Sequence, residues 1–308
     1  MSSEPRYAWR LLRAGPLKLD GGSMFGVVPR IIWNRSVPCD EQGRIDVAHN
    51  CLLLESTSSD SRLPRKLLIE CGSGDKFDEK NRRIFGLSDR SIIQALEEMN
   101  CNCESIEHVI VSHLHFDHAG GLTRRGTDGP VSTFPRARIH VQQREWDDAV
   151  ANRSVMTRTY LPENRVGIVE QLELHHAPSP YSAGQILDRD EAPGIPLGER
   201  EIEILPGIFV FLVPGHTWGQ QAVRFTDQRN RKIVFTPDLL PTVHHVGAAY
   251  NMAYDVEPFV STVTRRWFLQ EAVDQNWLLV LDHESGNPCC RVRSDGKGWF
   301  ALTPVEDV

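Results

Sequence analysis

Long apolar runs are missing from this 308-residue chain. The longest, residues 208–213 and 277–281, fall far short of the roughly 20 residues that a bilayer span needs, so no transmembrane helix and no membrane partner are expected. The opening MSSEPRYAWR holds no apolar stretch of the kind a secretory signal requires. Cysteine is sparse and odd in number, 7 in all. Cys101 with Cys103, and Cys289 with Cys290, are too few for a four-thiolate zinc site, and reduced thiols in a cytoplasmic protein are expected. A positive excess is lacking too. Lys plus Arg is 34 against 41 for Asp plus Glu, a formal charge of −7. That is the wrong sign for a nucleic-acid surface. No internal repeat or low-complexity segment breaks the chain.

What is present is an ordinary globular composition, 40% hydrophobic and 24% charged, enough for a substantial core. One domain over 1–308 is expected. Short apolar, β-branched runs bounded by Ser, Asp, Pro and Gly predict strands at 47–55, 66–70, 108–112, 137–141, 208–213, 221–225, 232–235, 277–281 and 299–302. Helical spacing predicts helices at 89–99, capped by Ser88 or Asp89, and at 144–150 and 259–273. Residues 1–44 carry a Gly-rich loop at 20–29 that is expected to expose Met24 and Phe25, near the active site or at a dimer contact. Residues 151–200 contain Pro162, Pro178, Pro180, Pro193 and Pro196. They are expected to form an irregular insertion, a lid or binding loop as readily as a surface excursion. Strands dominate both halves with helices between them, which predicts an α/β fold of two layered sheets.

The chemistry concentrates in Val111–Gly121, VSHLHFDHAGG. His113 and His115 lie two apart at a predicted strand end, so their imidazoles are expected on one face. Asp117 and His118 follow on the next turn. Four metal-ligating side chains thus fall within six residues, with donors that suit zinc, iron or manganese.

H-x-H-x-D-H after an apolar strand resembles the signature of the metallo-β-lactamase superfamily. The resemblance implies an αββα sandwich, two packed mixed β-sheets with outer helices. It also implies two divalent metals per chain, zinc foremost with iron, manganese or cobalt as alternatives. Downstream ligands are found in order at His216 in PGHTWGQ, Asp238 in IVFTPDLL and His283 in LLVLDHE. By resemblance, His113, His115 and His216 hold one metal, Asp117, His118 and His283 the second, and Asp238 bridges. Asp117 is also the catalytic candidate, orienting the nucleophile or shuttling a proton. One departure stands out. The superfamily carries an early Asp-x-Gly, whereas this chain has Glu70-Cys71-Gly72, one methylene longer. Glu70 is a candidate to accept a hydrogen bond from a ligand imidazole, and Cys71 is read as a packing thiol.

Within the superfamily, residues 20–33 (DGGSMFGVVPRIIW), the run from Asp238 to Thr242, His244-His245 and Met252–Asp255 resemble the YtnP-like quorum-quenching lactonases. That likeness implies opening of the lactone ring of N-acyl homoserine lactones by a hydroxide shared between two metals. The alternative on the same site is a phosphotriesterase or general esterase. Better-known lactonases place a substrate-contacting Tyr three residues after the bridging Asp; here that position is Pro241. Tyr254 and His245 are candidates for its part. Met24, Phe25 and Trp33 are candidates for an apolar trough, and a homodimer is plausible. Flavodiiron relatives carry Glu where His115 stands. A mononuclear dioxygenase would not need Asp117 or His283 for metal. A closed structural zinc site would not need seven ligands.

Overall fold

The computed structural model describes residues 5–58, 60, 63–156 and 158–306. In chain order its strands are β1 (Tyr7–Asp20), β2 (Arg44–Ser56), β3 (Lys66–Ile69), β4 (His108–Ile110), β5 (Thr123–Gly126), β6 (Gly129–Ser132), β7 (Arg138–Gln142), β8 (Leu172–His175), β9 (Ile202–Leu205), β10 (Ile208–Leu212), β11 (Gln221–Thr226), β12 (Lys232–Thr236), β13 (Leu278–Leu281), β14 (Cys289–Ser294) and β15 (Phe300–Pro304). Strands β1-β2-β3-β4-β7-β8 form one sheet and β15-β14-β13-β12-β11-β10-β9 another, while β5 and β6 make a separate hairpin. Both large sheets mix parallel and antiparallel neighbours.

Side chains alternate across each strand, which is how four-residue apolar runs serve two cores at once. In β3, Leu67 and Ile69 point inward with Leu52, Leu54 and Ile110, against Val210, Val223, Phe225, Phe235 and Val280 of the other sheet. Leu68 points outward with Leu53, Val109 and Ile139, against Ile92, Ala95 and Leu96 of the helix Ile92–Glu98. On the far side Phe211, Val234, Leu279 and Leu281 pack against Val263 and Phe268 of the helix Pro258–Asp274. The layers are therefore helix, sheet, sheet, helix. Each fully buried Leu or Phe contributes roughly 1.5–3 kcal/mol.

Several expectations need correction. The helix at 92–98 is capped by Ser91, with Gln94 completing a capping box, not by Ser88 or Asp89. Strand β1 was not predicted, because Arg13, Gly15 and Pro16 interrupt its pattern where its pairing with β2 shifts register. The 151–200 segment is not irregular throughout, since β8 inside it closes the edge of the first sheet. Residues 21–25 form a short helix capped by the Asp20 carboxylate, which accepts from the Ser23 amide. Met24 and Phe25 are wholly buried rather than exposed. Among the described residues no helix is long and apolar enough to cross a membrane.

Candidate metal centre

The parallel pairs β3–β4 and β12–β13 run out at one edge of the sandwich, where the chain turns into loops. Carboxyl ends of strands are where open α/β folds place their sites. His113 follows β4, His216 follows β10, Asp238 follows β12 and His283 follows β13. His113 and His115 lie in the connection beyond β4 rather than on the strand, which stops at Ile110. Their convergence comes from the turn into the helix Phe116–Ala119, with ring centroids 4.5 Å apart.

Asp238 is the hub. Its Oδ2 lies 3.0 Å from His216 Nε2, 3.7 Å from His113 Nε2 and 3.6 Å from His118 Nε2, while its Oδ1 lies 3.3 Å from His283 Nε2. Two sets of ligand atoms share it. His113, His115, His216 and Asp238 make one, and His118, Asp238, Asp282 and His283 the other, all atoms of a set lying within 4.8 Å. Asp117 stands beside the second set, 3.6 Å from His283 Nε2 and 3.9 Å from His118 Nε2.

The surroundings aim these rings. His113 Nδ1 is paired with Ser112 Oγ at 3.0 Å, and His283 Nδ1 donates to the Ala48 carbonyl at 2.8 Å. His216 Nδ1 donates to Asp255 at 3.0 Å. Glu70 reaches both His118 and the Ser112 amide despite the extra methylene. One oxygen meets His118 Nδ1 at 3.2 Å and the other accepts the Ser112 amide at 2.5 Å, with the Glu70 backbone in the left-handed region at φ 66°. Glu145, fully buried, binds the loops together. It accepts from the Leu114 amide, from Thr217 Oγ1 and from Tyr160, whose ring packs 4.9 Å from that of His115.

Charge sorts the histidines. Burial, then neighbouring imidazoles, pushes the pKa of His113 and His115 well below the usual value. Burial also opposes charge on His118 and His216, but carboxylates outweigh it: Asp117 and Glu70 at His118, and Asp238 and Asp255 at His216, which is lifted to about 10. Burial likewise works against the Asp238 carboxylate, and His216 with His283 nevertheless hold its pKa well below the usual range.

Several lone pairs have nothing to meet. Among the described residues, His113 Nε2, His115 Nε2, Asp238 Oδ1 and both Asp282 oxygens are buried without a hydrogen-bond partner. Leaving such groups unpaired is costly, and imidazole nitrogen with carboxylate oxygen is a donor set that divalent metals satisfy. The residues fit two cations.

Above this floor opens a cavity lined by Leu19, Met24, Phe85, Phe116, Met252 and Tyr254 among others, with Asp117 and Asp238 at its base. Met24 and Tyr254 thus reach the cavity. Phe25, Trp33 and His245 do not. Phe25 stacks on Trp33 at 5.3 Å and on His245 at 5.1 Å. His245 is spent on the Met24 carbonyl and Thr242 Oγ1, both at 2.9 Å, so it locks the N-terminal segment in place. Asp255, Glu145, Tyr160 and Asp282 were not assigned from the sequence. Asp255 lies in the MAYD run and Asp282 in the LLVLDHE run, both quoted from the sequence; Glu145 and Tyr160 carry no local signal.

A model of the metallo-β-lactamase superfamily matches residues 46–283. The chain belongs to that superfamily. Among curated proteins, the N-acyl homoserine lactonase AiiA of Bacillus thuringiensis subsp. kurstaki is 23% identical over 175 residues, 56% of this chain and 55% of that protein. The match therefore spans about half the length of such relatives. Among solved structures, a probable metal-dependent hydrolase from Staphylococcus aureus superposes with a TM-score of 0.79 at 26% identity, covering 99% of both chains. AidC, a dizinc quorum-quenching lactonase solved with N-hexanoyl-L-homoserine, superposes with a TM-score of 0.70 at 17% identity, covering 99% of this chain and 97% of AidC. The superfamily, with these ligand groups, makes this a metal-dependent hydrolase that uses divalent metals.

Proposed function

We propose that this superfamily member is a dinuclear hydrolase that opens the lactone ring of N-acyl homoserine lactones or closely related lactones. His113, His115 and His216 would hold one metal, Asp117, His118 and His283 the other, and Asp238 both. The observation that carries the reading is the pair of ligand sets joined at Asp238 beneath an apolar cavity. When bound, such a pair of dications acidifies water towards neutral pH and polarises a carbonyl oxygen.

The chain's own groups divide the remaining work. Leu19, Met24, Phe85 and Met252 give an acyl chain an apolar wall and keep bulk water from the floor. Tyr254 lines the same wall, and burial raises its hydroxyl to about 12. It therefore stays protonated at neutral pH and can donate to the substrate carbonyl, the part that Pro241 cannot play. Asp117, at the base of the cavity, can take the proton of the attacking water and deliver it to the ring oxygen as the ring C–O bond breaks.

A hydrolysis panel run with and without chelator tests the proposal. It should hold acyl homoserine lactones, simple lactones, a phosphotriester, a thioester and a β-lactam. Chelator-sensitive ring opening of acyl homoserine lactones is expected to exceed every other activity. A metal-replete protein that leaves lactones intact while turning over the phosphotriester would move the assignment to that substrate class. Tyr254→Phe is expected to lower lactone turnover about 10- to 100-fold with both metals retained.

A further inference from the structure

Nearly every polar group that lines the substrate cavity already has a task. His115, His216 and Asp238 belong to the ligand sets, Asp117 stands beside them, and Tyr254 faces the substrate carbonyl in the reading above. Ser154 Oγ accepts from the Met156 amide at 3.2 Å and so closes its own turn. Thr159 is left. It is 5% exposed. Among the described residues nothing hydrogen-bonds its hydroxyl. Ser132, Thr133 and Ser261 also have unpartnered hydroxyls, but those are sealed inside the protein. The hydroxyl of Thr159 is not sealed, so it opens onto the cavity that its side chain lines.

Its position is fixed from behind. Tyr160, the next residue, packs its ring 4.9 Å from that of His115 and donates to the buried Glu145 at 2.9 Å. Thr159 is thereby held on the His115 side of the cavity. The wall it shares is otherwise apolar, with Leu19, Met24, Phe85, Met156 and Met252. A hydroxyl in such a wall disfavours a purely apolar ligand, which strips its water and offers no partner. It favours a ligand that brings a hydrogen-bonding group alongside. In a lactone whose carbonyl lies at the floor, the substituent nearest the reacting carbon is the one on the adjoining ring carbon. In N-acyl homoserine lactones that substituent is an amide, with both an N–H and a C=O. A hydroxyl can accept from the first or donate to the second.

We propose, resting on the lactone reading above, that Thr159 selects lactones that carry an amide on the ring carbon next to the carbonyl, its hydroxyl hydrogen-bonding that amide. Met24, Met156 and Met252 then take the tail that follows, and their flexible thioethers suit tails of different length. Recognition is thereby divided. One hydroxyl reads the amide, while the apolar wall makes little demand on the chain beyond it.

The test compares two lactones on the zinc-loaded full chain. One is N-hexanoyl homoserine lactone. The other is α-heptyl-γ-butyrolactone, which has the same ring and tail length with carbon in place of the amide. Wild type is expected to favour the amide lactone about tenfold or more in kcat/KM. Thr159→Val, which exchanges the hydroxyl for a methyl, is expected to remove that preference. Thr159→Ser keeps the hydroxyl and is expected to retain it. Misfolding or metal loss would lower both rates together and leave their ratio alone. A second readout needs no turnover: calorimetry with ring-opened N-hexanoyl homoserine is expected to show binding about tenfold weaker in Thr159→Val than in wild type. An unchanged ratio in Thr159→Val, or no preference in wild type, would overturn the proposal. So would a loss confined to the β-keto analogue of the hexanoyl substrate, since the hydroxyl would then meet the chain beyond the amide. A wild-type protein that opens neither lactone would instead overturn the lactone reading itself.

Discussion

Two clusters of neighbouring histidines lie in this fold, and they behave in opposite ways. One is the metal centre beyond the strand ends. The other is a ladder across β4, β7 and β8, in which His108 Nδ1 meets His140 Nε2 and His140 Nδ1 meets His175 Nε2, each at 2.9 Å. Ring separations are alike, 4.0–4.9 Å at the centre for His113 with its imidazole neighbours and 5.1–5.2 Å in the ladder. The ladder satisfies itself. Neutral imidazole has one N–H and one lone pair, so three in a row can donate and accept in turn, and burial depresses all three pKa values. At the metal centre a carboxylate is driven into the middle of the rings, and lone pairs remain unmet. Imidazoles in contact do not make a metal site. Carboxylates among them, and unpartnered acceptors aimed inward, do.

The sharpest way to break that contrast is to remove what the centre awaits. Chelation is expected to abolish hydrolysis, at least about 10⁴-fold, and to lower the melting temperature by about 10 °C or more, because Asp238 Oδ1 and the unpartnered Nε2 atoms of His113 and His115 then lack a cation. Asp238→Asn is expected to reproduce the loss of activity, with metal content falling at both positions since both ligand sets use Asp238. Ladder variants should leave the metal count at two. If His140→Gln emptied the centre, the two groups would not be independent.

A smaller effect is expected where a carboxylate only aims a ring. Asp255 holds His216 Nδ1 at 3.0 Å and touches no other ligand of the set. Asp255→Asn should weaken metal binding or activity about 10- to 100-fold, with a larger loss from the His113, His115 and His216 position than from the other. Equal loss from both positions in a metal-release time course would show that Asp255 does more than orient one imidazole.

The two groups also differ in how far the sequence revealed them. Six of the seven ligand positions drawn from the motifs lie in the two sets of ligand atoms, and the seventh, Asp117, stands beside them. They were readable because each sits in a short run after an apolar strand, where local spacing dictates position. The layered fold was readable for the same reason, since doubly buried strands such as Leu67–Ile69 are apolar throughout. Glu145 and the ladder were not. Glu145 reaches Leu114 and Thr217 across the tertiary structure, and His108, His140 and His175 meet only because three parallel strands are adjacent. Such contacts depend on strand order, and no local pattern encodes that. Strand β1 failed for the reverse reason, as a local break at Gly15 and Pro16 hid a strand that its long pairing with β2 sustains.

Glu145 offers a test between these extremes. It is buried like His140 of the ladder yet serves the centre, joining the His115 and His216 loops. Glu145→Gln keeps the volume but turns one acceptor into a donor facing Leu114, Thr217 or Tyr160. It is expected to destabilise the protein by about 1–3 kcal/mol and to speed metal release. Tyr160→Phe removes one of the three donors and should cost about 1 kcal/mol. Chemical denaturation of the zinc-loaded protein checks both. Stability unchanged in Glu145→Gln would mean that the loops hold without the staple.

The smallest expected effect concerns the ladder and acid. Burial, then His108 and His175, depresses His140 in the fold to about 3, against an ordinary value of 6.5. A base depressed by folding is neutral in the native state, while the unfolded chain takes up a proton as pH falls. The ladder's contribution is therefore complete above pH 6.5 and is lost progressively as pH drops from 6.5 towards 3. The metal centre is also acid-sensitive, because its ligands must be deprotonated to bind, so wild type alone cannot separate the two. His140→Gln can, since the amide keeps a donor and an acceptor between His108 and His175 but does not titrate. Between neutral pH and pH 5 the fall in melting temperature is expected to be smaller in His140→Gln than in wild type, by about 2–5 °C, with the loss of metal following the same pH curve in both. Parallel melting curves would show that protons enter the fold elsewhere first, and would leave the ladder a packing feature without a part in acid stability.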